Sequence, residues 1–131
     1  MWMVVKVPGT EATEAAATVR NVLDRWQAGI GAHRPDQVAA VFTEDAIFQG
    51  LRPYSVGRQG IFDYYDSQPA GLTVDYRVNE IREPVDGVIL AYTRADFTLP
   101  DGKVISLNLS VLVTQGDAGW QIAHYQVSPV T

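Results

Sequence analysis

The chain contains no cysteine, which excludes structural disulfides, thiolate zinc sites and cysteine nucleophiles together. Positive charge is also scarce. Lys and Arg total 10 against 15 Asp and Glu, a formal net charge of -5. The basic residues are scattered, so neither a nucleic-acid nor an anionic-membrane surface is expected, because both need concentrated cations. Long apolar runs are missing, and nothing approaches the roughly 18 residues of a membrane span. The start, Met1-Trp2-Met3-Val4-Val5-Lys6-Val7-Pro8, is too short for a secretory signal core and lacks a small-residue cleavage site. A cytoplasmic protein is expected. The only histidines, His33 and His124, stand far apart without clustered carboxylates, so no metal site is expected. No dinucleotide fingerprint is present either, and no cofactor is expected.

What is present fits one domain over residues 1–131, long enough to bury a core without staples, with residues 1–9 as an extended arm. The first element reads as a helix, with Thr10 as cap and Glu11 and Glu14 near its positive end. Val19, Val22, Leu23, Trp26 and Ile30 recur at three- and four-residue spacing, while Gly29 and Gly31 weaken the end. Pro35 and Asp36 open a short second helix with Val38, Val41 and Phe42 on its apolar face. Glu44 and Asp45 close it before a short strand at Ala46-Ile47-Phe48. Gly57 heads a third helix from Arg58 to about Asp66, which buries Ile61 and either Tyr64 or Tyr65.

From Leu72 the pattern changes to four strands, at about 72–83, 87–99, 103–115 and 119–128. The turns Pro84-Val85-Asp86-Gly87, Pro100-Asp101-Gly102 and Gly116-Asp117-Ala118-Gly119 are short, so neighbouring strands run antiparallel. Helices first and a meander second predict an α+β layout with the helices on one sheet face. Strict alternation puts Leu107, Leu109, Val111 and Val113 on the covered side, with Asn108, Ser110 and Leu112 opposite. It likewise puts Trp120, Ile122, His124 and Gln126 inside, with Ala123, Tyr125 and Val127 outside. The outer face is mixed rather than charged, which predicts a homodimer through Leu112, Tyr125 and Val127.

Trp26, the segment Pro35 to Ala46, the Gly57-Arg58-Gln59-Gly60-Ile61 helix start and the ending Gly119 to Ser128 resemble SnoaL-like domains of the nuclear-transport-factor-2-like (NTF2-like) superfamily, and within it the SgcJ/EcaC branch. That resemblance implies a cystatin/NTF2-like cone of about three N-terminal helices on a curved antiparallel sheet. It also implies a pocket between them, lined by Trp26, Phe42, Phe48, Tyr54, Ile61, Tyr65, Leu107, Leu109 and His124, with Gln126 beside His124 at its mouth as an orienting group for a ligand. The superfamily hosts isomerases, cyclases, dehydratases and non-catalytic binders, so fold does not fix function. Ketosteroid isomerases of this superfamily use a carboxylate base, a tyrosine and a protonated aspartate. The matching positions here are Gly50, Trp26 and Val111, and none keeps that chemistry. No Asp-Arg-Asp trio like that of limonene-epoxide hydrolases can be placed.

His124 is then the single acid/base candidate: an inward neutral imidazole could exchange a proton with a carbonyl or phenol. The ordinary structural alternative is a buried histidine that orients a neighbour. His33, at the helix end, reads as a solvated loop residue, and Gly57 to Gly60 as a helix entry rather than a phosphate loop. Arg94 and Asp96 share a strand face as an ion pair. Tyr54, in a loop, is the gate candidate. Two functional classes follow. One is cofactor-free cyclisation, isomerisation or other acid/base chemistry on a small hydrophobic, polyketide-like or polycyclic molecule; the other is a non-catalytic binding or accessory dimer.

Overall fold

The computed structural model describes residues 10–130, with side chains from Glu14 onward. The expected arm at residues 1–9 and the side chains of Thr10 and Glu11 lie outside that description. Helix α1 spans Thr10–Gly31, α2 Pro35–Ala39 and α3 Arg58–Asp66. Strands are β1 Phe42–Gln49, β2 Ser55–Val56, β3 Thr73–Val85, β4 Val88–Thr98, β5 Val104–Gly116 and β6 Gly119–Pro129. They form one six-stranded sheet in the order β2-β1-β6-β5-β4-β3. The meander β3 to β6 is antiparallel throughout, as expected. Strand β1 closes it by running parallel to β6, and the two-residue β2 pairs antiparallel with β1.

The stripe on α1 is the floor of the core. Val19, Val22, Leu23 and Trp26 are fully buried. The chain leaves α1 through backbone bonds from His33 N to Ile30 O (3.0 Å) and from Arg34 N to Gly29 O (2.9 Å). That pattern ends helices on a left-handed residue, and His33 takes the position with φ 51°. Gly29 does more than weaken the helix: a Cβ there would lie 2.8 Å from Val38 Cγ2, so the glycine lets α2 seat directly on α1. Helix α2 is shorter than expected. Phe42, Glu44 and Asp45 belong to β1, where Phe42 is buried and the two acids are exposed.

Bulges bend the sheet round the helices. The register shifts in β3 between Val78 and Glu80 and again between Arg82 and Val85. The bulge that matters most is in β6. Val113 pairs with Ile122 and Leu112 with His124, so Ala123 is an extra residue without an opposite number. Alternation resets there. Ile122 faces the core, and beyond the bulge Tyr125 and Val127 face it as well, paired with the inward Val111 and Leu109. His124 and Gln126 turn to the outer face with their partners Leu112 and Ser110. The expected inward His124 and Gln126, and the expected outward Tyr125 and Val127, are therefore reversed. Strict alternation holds only in a strand without an inserted residue.

Candidate functional site

The apex of the cone is solid. Trp26, Phe42, Phe48, Ile61 and Leu109 are at most 2% exposed and are not among the residues that line the cavity nearer the mouth. Their rings pack on one another: Phe48 stacks on Tyr125 at 4.6 Å between centroids, and Phe42 meets Phe48 edge-on at 5.8 Å. These five expected lining residues are core. The aromatic volume that suggested a ligand box fills it instead.

The opening lies nearer the mouth, where a cavity of about 40 Å³ remains. Its inner end is formed by Tyr65, Tyr125, Leu107 and Val127, its sides by Leu72, Phe97, Leu99 and Ile105, and its rim by Leu51, Tyr64 and Gln68. Of the expected site, only Tyr65 and Leu107 belong to it. Tyr54 is 66% exposed on the β1–β2 loop, and Gln126 is exposed on the outer face. The volume suits a few waters or one small functional group, well short of the roughly 150 Å³ that takes up a benzene ring.

Polarity inside is organised as a relay. Trp26 Nε1 donates to Tyr65 Oη at 3.1 Å, and Tyr65 Oη donates to Tyr125 Oη at 3.3 Å. A phenol can donate one bond and accept two, so the indole N–H and the two phenol O–H groups share these two bonds with one phenol O–H left over. With the bond running from Tyr65, that O–H belongs to Tyr125, whose side chain lines the cavity, and no acceptor for it stands among the described residues. Burial pushes both phenols well above the ordinary phenol value, and for Tyr125 the neighbouring Tyr65 adds to the effect. Both are neutral donors at physiological pH. Among the described residues that line the cavity there is no carboxylate, imidazole, ammonium or guanidinium.

The rim is built by close approach. A Cβ at Gly50 would lie 2.6 Å from the Tyr64 ring and its hydroxyl, so a side chain at 50 would require the Tyr64 ring to move. Leu51 N donates to Tyr64 Oη at 3.2 Å, and the Arg52 guanidinium lies 5.9 Å from the Tyr64 ring centroid. Gln49 Nε2 ties the turn by donating to the carbonyls of Gly50 and Arg52.

Other candidates settle outside the cavity. His124 is half-buried on the outer face, with Ile47 of β1 and Leu112 of β5 as its register partners. Arg58 Nε donates to Phe42 O at 2.8 Å, which anchors α3 to β1, while Glu44 stands 4.0 Å from its guanidinium. Arg94 Nε bonds Asp96 at 3.3 Å on the outer face. A 2.6 Å bond from Ser106, reinforced by Arg94, holds the Asp96 carboxyl below its usual range. Among the described residues no three His, Asp or Glu are gathered into a metal-binding group. No described helix is long and apolar enough to cross a membrane.

The profile of the SnoaL-like domain matches residues 19–131. The chain belongs to the SnoaL-like family. Solved structures agree on the fold of this SnoaL-like domain. A domain of unknown function with a cystatin-like fold from Nostoc punctiforme superposes with a TM-score of 0.79 at 20% identity, over 91% of this chain and 79% of that one. A ketosteroid isomerase-like protein from Erwinia carotovora gives 0.72 at 20% identity, over 90% and 98%. An NTF-2 like protein of unknown function from Shewanella oneidensis gives 0.73 at 12%, over 86% and 98%. At these identities the likeness is one of fold. No curated protein matches the chain.

Proposed function

We propose that this SnoaL-like domain is a non-catalytic binder of a small, mostly apolar molecule, held by one carbonyl oxygen at the inner end of the cavity. The observation that carries this reading is the Trp26–Tyr65–Tyr125 relay, which leaves a buried neutral O–H undonated beside an apolar space. A buried donor without an acceptor is costly, and a ligand oxygen would satisfy it. The described lining residues are apolar side chains, phenols and one amide, with no carboxylate or imidazole among them, which weighs against turnover. His124, which would have been the acid or base, lies on the other side of the sheet.

The small cavity admits the functional group, and the body of the ligand rests at the mouth against Leu51, Leu99 and Ile105. Polyketide-like molecules carry ketone oxygens on such frames. The sequence likeness of Gly119 to Ser128 to the SgcJ/EcaC branch is the reason for that choice of ligand class. Acetophenone and ethylbenzene test it, since they differ in the carbonyl. Tyr125→Phe should weaken acetophenone about five- to tenfold, the size of one neutral hydrogen bond, and leave ethylbenzene within about twofold. Acetophenone binding that is absent, or unchanged by Tyr125→Phe, would overturn the reading.

The same protein is proposed to form a homodimer through the outer sheet face. Ile47, Leu90 and Tyr92 are 45%, 40% and 43% exposed there, and Leu112 lies between their strands. Leu112 keeps the role expected of it, while Tyr125 and Val127 drop out because they face the core. Light scattering on Leu112→Lys should report a monomer where the unaltered chain is a dimer. A monomeric unaltered chain at micromolar concentration would refute the proposal.

A further inference from the structure

The cavity wall holds a second polar group whose hydrogen-bonding capacity is unspent. Gln68 follows α3 and forms part of the rim. Its Nε2 donates to Tyr64 O at 3.4 Å. A carbonyl oxygen can only accept, so the amide is oriented with its nitrogen toward Tyr64. The other end, Oε1, accepts no hydrogen bond among the described residues. With Tyr65 and Leu72, Gln68 also lines a smaller space, next to Gly29, His33 and Pro35. Tyr64, the other polar rim residue, accepts the Leu51 N–H and keeps its O–H as a donor. The residues lining the cavity thus carry phenol donors and one acceptor that is unspent among the described residues, Gln68 Oε1.

We infer that the ligand presents a carbonyl oxygen with an N–H or O–H donor beside it, so that Tyr125 donates to the oxygen while Gln68 Oε1 accepts from the donor. A carboxamide and an enolised diketone both have this pattern. A simple ketone or ester does not. The inference rests on the carbonyl-binding reading above and narrows it. Both groups are neutral, so the pair selects a neutral ligand, and a carboxylate would leave Gln68 Oε1 facing negative charge.

Benzamide and acetophenone test this, because the two groups entering the cavity match in size and differ in the donor. The quantity to measure is the ratio of acetophenone to benzamide dissociation constants, in the unaltered chain and in Gln68→Met, which keeps the side-chain length and removes the acceptor. Comparing the ratio between proteins cancels the different hydration of the two compounds. The ratio is expected to fall at least fivefold in Gln68→Met, with acetophenone affinity and melting temperature nearly unchanged. An unchanged ratio, with acetophenone still bound in a Tyr125-dependent way, overturns the role of Gln68 and leaves the carbonyl reading standing. If neither compound binds, both fail.

Discussion

Strands β5 and β6 are neighbours, and they obey different rules. Along β5, Leu107, Leu109, Val111 and Val113 are all buried while the residues between them face outward, an unbroken period of two. Along β6, Ile122, Tyr125 and Val127 are buried, a spacing of three and then two. One inserted residue, Ala123, makes the difference. It delivers Tyr125 to the end of the Trp26–Tyr65 relay and moves His124 to the outside. A regular β6 would have given a cone with an inward imidazole and no phenol relay. The bulge thus selects which chemistry the cavity has, in keeping with the use of bulges to re-aim side chains at sites.

Replacing Tyr125 and Val127 together with Ala is the harshest way to break the contrast. Both side chains are buried beyond the bulge. Losing that burial costs about 3–6 kcal/mol, and chemical denaturation should find the variant largely unfolded, while the same double change at the outward His124 and Gln126 should leave the chain folded. Equal effects of the two pairs would mean that β6 has no fixed register.

Alkaline pH gives the next largest effect. Tyr65 and Tyr125 have phenol pKa values raised in the folded chain, mainly by burial. In the unfolded chain they titrate near the ordinary value of about 10. Raised native values contribute stability that is whole below pH of about 10 and is lost as pH climbs above it. At pH 11 the loss is about 1.4 kcal/mol for each phenol. Melting temperature should fall steeply from pH 10 to 11, with less of a fall in Tyr125→Phe, and phenolate absorbance from this pair should appear only on unfolding.

At pH 7, Tyr125→Phe removes the acceptor for the Tyr65 O–H and should cost about 1–3 kcal/mol, measured by urea denaturation. His124→Gln sits at the small end. Its outward, half-buried side chain should change stability by less than about 0.5 kcal/mol and leave acetophenone affinity unaltered. Equal effects of the two substitutions on binding would erase the distinction between the faces.

How much of this was legible follows the same contrast. The helical stripe from Val19 to Ile30, the turns after β3, β4 and β5, and the inner face of β5 were all readable. In each, a periodic run is bounded by residues that stop it. In β6 the argument against a one-residue slip treated the strand as rigid. A bulge allows Ile122 and Tyr125 to be buried together, and the signal was available: after Ile122 the larger apolar side chains shift to Tyr125 and Val127. The cavity was harder. Leu51, Gln68 and Leu99 come from connections, Phe97 and Ile105 from strand ends, and only the folded cone brings them together. Of the aromatic residues expected as lining, Trp26, Phe42 and Phe48 form a packed cluster rather than a wall, while Tyr65 does line the cavity. Large rings on facing elements fill an apex before they leave space in it.

The most direct test of the account is a set of intermolecular NOEs from acetophenone bound to the isotope-labelled protein. Contacts are predicted from the acetyl protons to the Tyr125 ring and to Leu107 and Val127 methyls, and from the aromatic protons to Leu99 and Ile105. Contacts to His124, Leu112 or Ile47 instead would place the ligand on the outer face and contradict the account.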